Sequence, residues 1–246
     1  MRLSLAFLMA AAAFAQPPAP PPPIIAPPPL QAVSRLVNDY GNLARYAADN
    51  QKVAQPAAGE DRVVFMGDSI TDIWKLEKSF PGKPYVNRGI GGQTTPQMLI
   101  RFRPDVIDLD PKAVVILAGT NDIAGNTGPM SLPEIEANLK TMAELARLHK
   151  IRVVMSSVRP VNNYTERSKL FYPLRSPAQI LELNQWMKDY CVRNDCIYLD
   201  YFSAMVDDKG MLKADLADDG LHPNEKGFAI MTPLAQKAID QALTSR

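Results

Sequence analysis

Val-Val-Phe-Met-Gly-Asp-Ser-Ile-Thr, residues 63–71, begins as a strand and ends in a small polar triplet. Its four leading apolar residues do not alternate between an inner and an outer face, so the strand they form must be covered on both sides. Gly67 permits a tight turn out of the strand, and Asp68-Ser69 open the next segment. The stretch is the first of a series. Arg62–Met66, Tyr85–Ile90, Ala113–Ala118, Ile151–Val158 and Ile197–Tyr201 all read as strands. Helical patterns lie between and after them, near 94–108, 131–150, 177–193 and 223–244. Strands apolar on both faces and separated by helices predict a parallel sheet in an α/β domain. The expectation is a flavodoxin-like, three-layer α/β/α fold with a five-stranded parallel sheet. In such folds ligands bind beyond the carboxyl ends of the strands, so the strand-end loops carry the functional reading.

Upstream, the chain reads as three segments. Met1-Arg2 is a short positive start, Leu3–Phe14 is an apolar run of 12 residues, and Ala13-Phe14-Ala15 fits a small-x-small cleavage site. Residues 1–15 are therefore expected to be a cleaved secretory signal; spanning a bilayer takes about 20 apolar residues. No Cys follows the run, which argues against lipid attachment there. Residues 16–30 form a Pro-rich linker, with nine prolines between 17 and 29, and such a run favours extended polyproline conformation. Residues 31–60 are expected to be a helical extension. Val33, Leu36, Val37, Tyr40, Leu43 and Tyr46 recur at helical spacing, predicting a helix over 31–55 that Pro56 and Gly59 end. Residues 61–246 are the expected folded domain.

The whole chain is 246 residues with 27 basic and 26 acidic side chains, so charge gives no reason to expect nucleic acid or an anionic membrane surface as partner. No later segment is apolar and long enough for stable membrane insertion. Cys191 and Cys196 are the only cysteines. Export permits a disulfide between them, and the spacing leaves a bridge and a pair of thiols equally open. With two His and two Cys in all, no metal site is expected.

The first strand delivers Gly67-Asp68-Ser69, common turn chemistry when taken alone. The second ends in Asn87-Arg88-Gly89-Ile90-Gly91-Gly92-Gln93-Thr94. A dinucleotide fingerprint fails because Thr stands at 94, and there is no P-loop Lys. What remains is a loop whose exposed N–H groups can hold an oxyanion. The third strand ends in Gly119-Thr120-Asn121-Asp122, placing a carboxamide at the rim. After the fifth comes Asp218-Asp219-Gly220-Leu221-His222-Pro223. Asp219 lies within one turn of His222, where a carboxylate can hold one ring nitrogen and leave the other facing the cleft. The other histidine, His149, falls beside Lys150 at a helix end, a solvated position. Asp68 and Asp122 are read as turn braces, not as a glycosidase pair.

Gly-Asp-Ser, a Gly loop, Gly-x-Asn-Asp and Asp-x-x-His, in that order and each at a strand end, resemble the SGNH hydrolases, also called the GDSL esterase family. The resemblance spans about residues 61–244. No Gly-x-Ser-x-Gly elbow is present, so the α/β-hydrolases are the poorer match. The resemblance implies a cofactor-free serine esterase. Ser69 would be nucleophile, His222 base and Asp219 its acid partner. The oxyanion hole would be Ser69 N–H, Gly92 N–H and the Asn121 side chain. Because a protonated imidazole cannot accept the serine proton, activity is expected to fall in acid.

The substrate is less legible. Ile73, Trp74, the Arg159-Pro160-Val161 turn and the insertion Tyr164–Pro177 with Phe171 and Tyr172 surround the rim. Of these, Trp74, Arg159 and Tyr172 are the substrate-binding candidates, with core packing an equal reading for the aromatics. Export and a modest pocket point to a small-molecule or polysaccharide ester, with short acyl groups such as those of acetylated carbohydrate. The alternatives are a lysophospholipase or lipase, an acyltransferase, and a catalytically silent carbohydrate-binding module on the same fold.

Overall fold

The structure, a computed structural model, describes residues 37–244; the expected signal segment and Pro-rich linker lie outside the described residues. Five parallel strands form one sheet in the order β2-β1-β3-β4-β5. They are β1 Val63–Gly67, β2 Tyr85–Gly89, β3 Ala113–Leu117, β4 Arg152–Ser156 and β5 Ile197–Leu199. In register, Gly67 stands beside Gly89 on one side and Leu117 on the other. Three strand ends therefore finish level, and the loops leaving them share one rim.

Both faces are covered. Val64, Met66, Ile116 and Met155 point into one apolar cluster; Val63, Phe65, Val115 and Val154 point into the other. This is the period-two geometry of strands with two buried faces. The main helices, following α1 Ala44–Asn50, α2 Ser69–Asp72 and α3 Leu76–Ser79, are α4 Thr95–Asp105, α6 Leu132–Leu148, α7 Pro177–Arg193 and α9 Glu225–Thr244; the short α5 Thr120–Ile123 and α8 Phe202–Met205 intervene. Met98, Leu139 and Met187 bring α4, α6 and α7 to the first face, and Met231 and Ala235 bring α9 to the second. The helices start where their sequences say. Thr94 with Gln97 and Ser131 with Glu134 form reciprocal capping boxes ahead of α4 and α6.

The long helix expected over 31–55 is not formed within the described residues. Asn42 adopts φ 53, and the Asp39 carboxylate accepts from Leu43 N–H at 2.8 Å and Ala44 N–H at 3.0 Å. Gly41 packs so tightly on α4 that a Cβ there would stand 2.7 Å from the Ile100 side chain. The Gly41-Asn42 pair thus breaks the periodic stretch, and only α1 continues. The segment also reaches beneath the rim, where Tyr46 Oη donates to the Gly89 carbonyl.

Cys191 and Cys196 are joined in a disulfide. It closes the connection from α7 to β5, at the amino end of that strand and so opposite the rim.

Candidate active site

Ser69 is the first residue of α2, and Asp68 before it is the cap: extended in backbone, with Oδ1 accepting from Ile70 N–H at 2.9 Å. Gly67 is required by the approach of the helix, since a Cβ would lie 2.1 Å from Thr71 Oγ1 and 3.0 Å from the Leu117 carbonyl oxygen. The strand-to-helix turn therefore holds the serine half-exposed at the rim.

Ser69 Oγ lies 2.8 Å from His222 Nε2, and His222 Nδ1 lies 2.7 Å from Asp219 Oδ2. The other carboxylate oxygen accepts from Leu221 N–H at 3.0 Å and His222 N–H at 2.8 Å. Burial pushes the Asp219 carboxyl up, but the bonds from the His222 ring and from the two N–H groups outweigh it, and the net is a carboxyl held below its usual range. An ionised Asp219 favours the tautomer with a proton on Nδ1, which leaves Nε2 to accept from serine. The turn that brings Asp219 and His222 together needs Gly220 (φ 73), where a Cβ would be 2.5 Å from Ser168 Cβ.

Gly92 and Asn121 stand on the loops that follow β2 and β3, the neighbours of β1. Gly92 is exposed at φ 76, and its carbonyl accepts from Asn126 Nδ2 at 3.0 Å. The neighbouring Gly91 N–H donates to Asp72 Oδ2 at 3.1 Å, so α2 also braces the loop. Asn121 is buried; its Nδ2 donates to the Gln93 carbonyl at 3.1 Å, and its Oδ1 accepts from Arg175 Nη2 at 3.1 Å. Asp122 Oδ1 accepts from Thr95 N–H at 2.8 Å and Thr95 Oγ1 at 2.6 Å, tying the third rim loop to the start of α4.

The substrate-binding candidates separate. Arg159 is only 3% exposed and donates through Nη2 to the Leu221 carbonyl at 2.6 Å. It lies beneath the His222 turn, a correction to the sequence expectation of a substrate-binding cation: the side chain is buried and holds the Leu221 carbonyl, with Asp68 and Asp219 as opposing charges. Burial lowers its pKa to about 10, with the Asp68 charge the largest opposing influence. Trp74 is almost wholly buried, with Nε1 donating to Ser79 Oγ at 2.9 Å, but it lines a groove of about 620 Å3 between α3 and α9. Ile73, Lys75, Pro223 and Phe228 share that groove. Tyr172 is half-buried and packs on the core, while the adjacent Phe171 sets its ring edge-on to His222, centroids 5.9 Å apart.

Three supporting residues escaped the sequence reading. Arg101, fully buried, donates to the Gly67 carbonyl at 3.0 Å, the Arg88 carbonyl at 2.8 Å and Gln93 Oε1, joining the first two rim loops from below. Asp72 and Arg175 are the others. Asp72 left a faint signal, a carboxylate one helical turn beyond Ser69. A single Arg in a helix or an insertion ordinarily reads as solvated and leaves none.

A three-layer α/β/α fold with serine, imidazole and carboxylate in line at the sheet's rim defines a class of hydrolase. The model of the GDSL-like lipase/acylhydrolase family matches residues 65–230. The chain belongs to that family, and its class of chemistry is carboxylic ester hydrolysis. A GDSL-like lipase from Bacteroides thetaiotaomicron is 39% identical, with a TM-score of 0.78 over 83% of this chain and 100% of that one. An acetylxylan esterase from Geobacillus stearothermophilus shares the fold at 20% identity, with a TM-score of 0.59 over 76% of this chain and 96% of its own. The lipoprotein YqeF of Bacillus subtilis is 29% identical over 59% of this chain and 69% of its length.

Proposed function

We propose that this chain is an exported serine esterase that removes short acyl groups from bulky alcohols, acetylated carbohydrate being the leading substrate class. The observation that carries the reading is the line from Ser69 Oγ to His222 Nε2 at 2.8 Å and from His222 Nδ1 to Asp219 at 2.7 Å. His222 takes the serine proton as Oγ attacks the ester carbonyl carbon. The carbonyl oxygen becomes an oxyanion, facing the N–H groups of Ser69 and Gly92 and Asn121 Nδ2. His222 then returns the proton to the leaving alkoxide oxygen, giving free alcohol and an acyl-serine. Water, deprotonated by the same imidazole, attacks the acyl carbon; the bond to Ser69 Oγ breaks, the acid leaves, and the imidazolium returns its proton to Oγ. Asp219 keeps its negative charge throughout and stabilises the imidazolium.

Because the leaving oxygen receives its proton from Nε2, the alcohol part belongs on the His222 side. There Pro223 and Ile73 open onto the groove of about 620 Å3, which supports a large alcohol in combination with a small acyl group. Resemblance in fold to an acetylxylan esterase is consistent with this choice. Export is supported by the signal-like residues 1–15, by the disulfide and by the lipoprotein nature of the Bacillus relative. We place the catalytic unit at residues 61–246, with 31–60 as an extension, of which Gly41 and Tyr46 pack against that unit. The amino terminus of protein recovered from the medium or periplasm is expected to follow Ala15.

The test is kcat/KM on p-nitrophenyl acetate, butyrate and octanoate, beside acetylated xylan and lysophosphatidylcholine. Rates are expected to fall with chain length, with acetate released from xylan. A rise through octanoate, or preference for the lysophospholipid, overturns the short-acyl assignment. Fluorophosphonate labelling of wild type but not of Ser69→Ala identifies the nucleophile; an unlabelled wild-type protein would be a silent module.

A further inference from the structure

We infer that Arg175 is a positioning residue of the oxyanion hole, whose guanidinium dictates which end of the Asn121 carboxamide faces the cleft. The inference rests on the proposed role of Asn121 as an oxyanion donor. A carboxamide has two ends of similar size and opposite polarity. Presented correctly, its NH2 stabilises the developing negative charge; turned over, its oxygen repels it. Packing alone discriminates poorly between the two.

The groups at either end of Asn121 do discriminate. On one side stands the Gln93 carbonyl, an acceptor, 3.1 Å from Nδ2. On the other stands Arg175 Nη2, a donor, 3.1 Å from Oδ1. A guanidinium has no acceptor to offer, so a reversed amide would set NH2 against N–H and oxygen against oxygen. Asn121 and Arg175 are 3% and 4% exposed, so water does not repair that mismatch. In the favoured orientation one Nδ2 hydrogen is engaged by Gln93 and the second remains for the substrate.

Arg175 is itself held by the site. Nε donates to Thr120 Oγ1 at 3.1 Å, on the residue preceding Asn121. Nη1 donates to the Phe171 carbonyl at 3.1 Å, and the Phe171 ring packs on His222. The insertion between β4 and α7 thus ties the oxyanion side of the cleft to the imidazole side through one side chain. The cation also lies one hydrogen bond behind the donor, where it strengthens the Nδ2–H dipole as negative charge develops. A lysine would keep the charge but not the planar fork that meets three acceptors at once.

A double-mutant cycle tests this. Arg175→Met and Arg175→Lys are made in the wild type and in Asn121→Ala, and kcat and KM are measured on p-nitrophenyl acetate beside a thermal melt. In the wild type, Arg175→Met should lower kcat about 10- to 100-fold, the scale of a misplaced catalytic group, with KM changed less than about twofold. Arg175→Lys should recover only part of the loss. In the Asn121→Ala background either change should cost under about threefold, because the group being oriented is gone. Equal losses in both backgrounds, or full activity of the Arg175 variants, overturn the inference. If Arg175→Met does not fold, the Arg175→Lys cycle gives the same decision. An Asn121→Ala enzyme with wild-type kcat would instead overturn the oxyanion role itself, so the two failures are told apart.

Discussion

Asp68 caps Ile70 N–H with Oδ1, while its Oδ2 is buried with no hydrogen-bond partner among the described residues. Burial raises its pKa from 3.8 to about 6, and the Arg159 charge only partly opposes this. A carboxyl with a raised folded pKa binds its proton more tightly in the fold than in the unfolded chain. Its contribution to stability is therefore full below about pH 4 and is lost as pH rises through about 6. Asp68→Asn keeps an acceptor for the Ile70 N–H and removes the titration. The stability of wild type minus that of Asp68→Asn, from urea melts, should fall by up to about 3 kcal/mol between pH 4 and 7 and be level above. The slope is the prediction; the offset also contains the loss of a charge near Arg159. A difference independent of pH would show that Asp68 does not titrate in this window. The same scale governs Asn121. In the proposed mechanism Asn121 is one of three oxyanion donors and Ser69 the nucleophile; removing one donor costs about 100- to 1000-fold in kcat, so Asn121→Ala should remain measurable in the assay where Ser69→Ala shows almost no turnover.

Among the elements, the rim loops depend on how closely α2 meets β2. At Gly89 a Cβ would stand 2.1 Å from the Asp72 backbone nitrogen and 2.5 Å from the Thr71 carbonyl carbon. These atoms all belong to the Thr71-Asp72 backbone, so nothing flexible is there to give way. Gly89→Ala should therefore cost at least about 3 kcal/mol or abolish soluble protein. Gly91→Ala, two residues on, meets nothing nearer than 3.7 Å and should change stability by less than about 1 kcal/mol. Comparable melting of the two variants would refute this packing argument. The contrast also explains what sequence could reveal. Strands such as Ala113–Leu117 announced themselves because two-sided burial demands an unbroken apolar run, and Gly67-Asp68-Ser69 and Gly119-Thr120-Asn121 because each comes directly after such a run; the Gly loop follows the mixed strand Tyr85–Gly89 and the Asp219–His222 turn lies well beyond β5, so only their residue types and order marked them. The helix over 31–55 misled because its apolar spacing continued through Gly41-Asn42, where a tight approach to Ile100 and an Asp39 cap decide the path. Arg159, Arg101 and Arg175 were misread or unseen for a common reason. A buried arginine is defined by distant carbonyls, such as Leu221, Gly67 and Phe171, which no local pattern reveals.

Across the whole molecule, parallel topology divides the two ends of the sheet by task. All five strands run the same way, so every rim loop gathers at the carboxyl ends, and the opposite end is left to hold the chain together. The disulfide belongs to that opposite end. Cys191 lies in the last turn of α7 and Cys196 immediately precedes β5, so the bond fixes how the edge strand enters the sheet, while Leu199 at the far end of β5 accepts from Ser157 N–H. Its separation of five residues closes a small loop, for which chain entropy gives about 2 kcal/mol of stabilisation. Cys191→Ala with Cys196→Ala should lower unfolding free energy by about that amount. Because neither sulfur contacts a rim loop, kcat and KM at a temperature well below the new midpoint should remain within about twofold of wild type, the scatter expected of distant, independent sites. A larger fall in kcat in protein that is still fully folded would mean that β5 transmits strain from its amino end to the His222 turn, and the division of labour between the two ends would have to be abandoned.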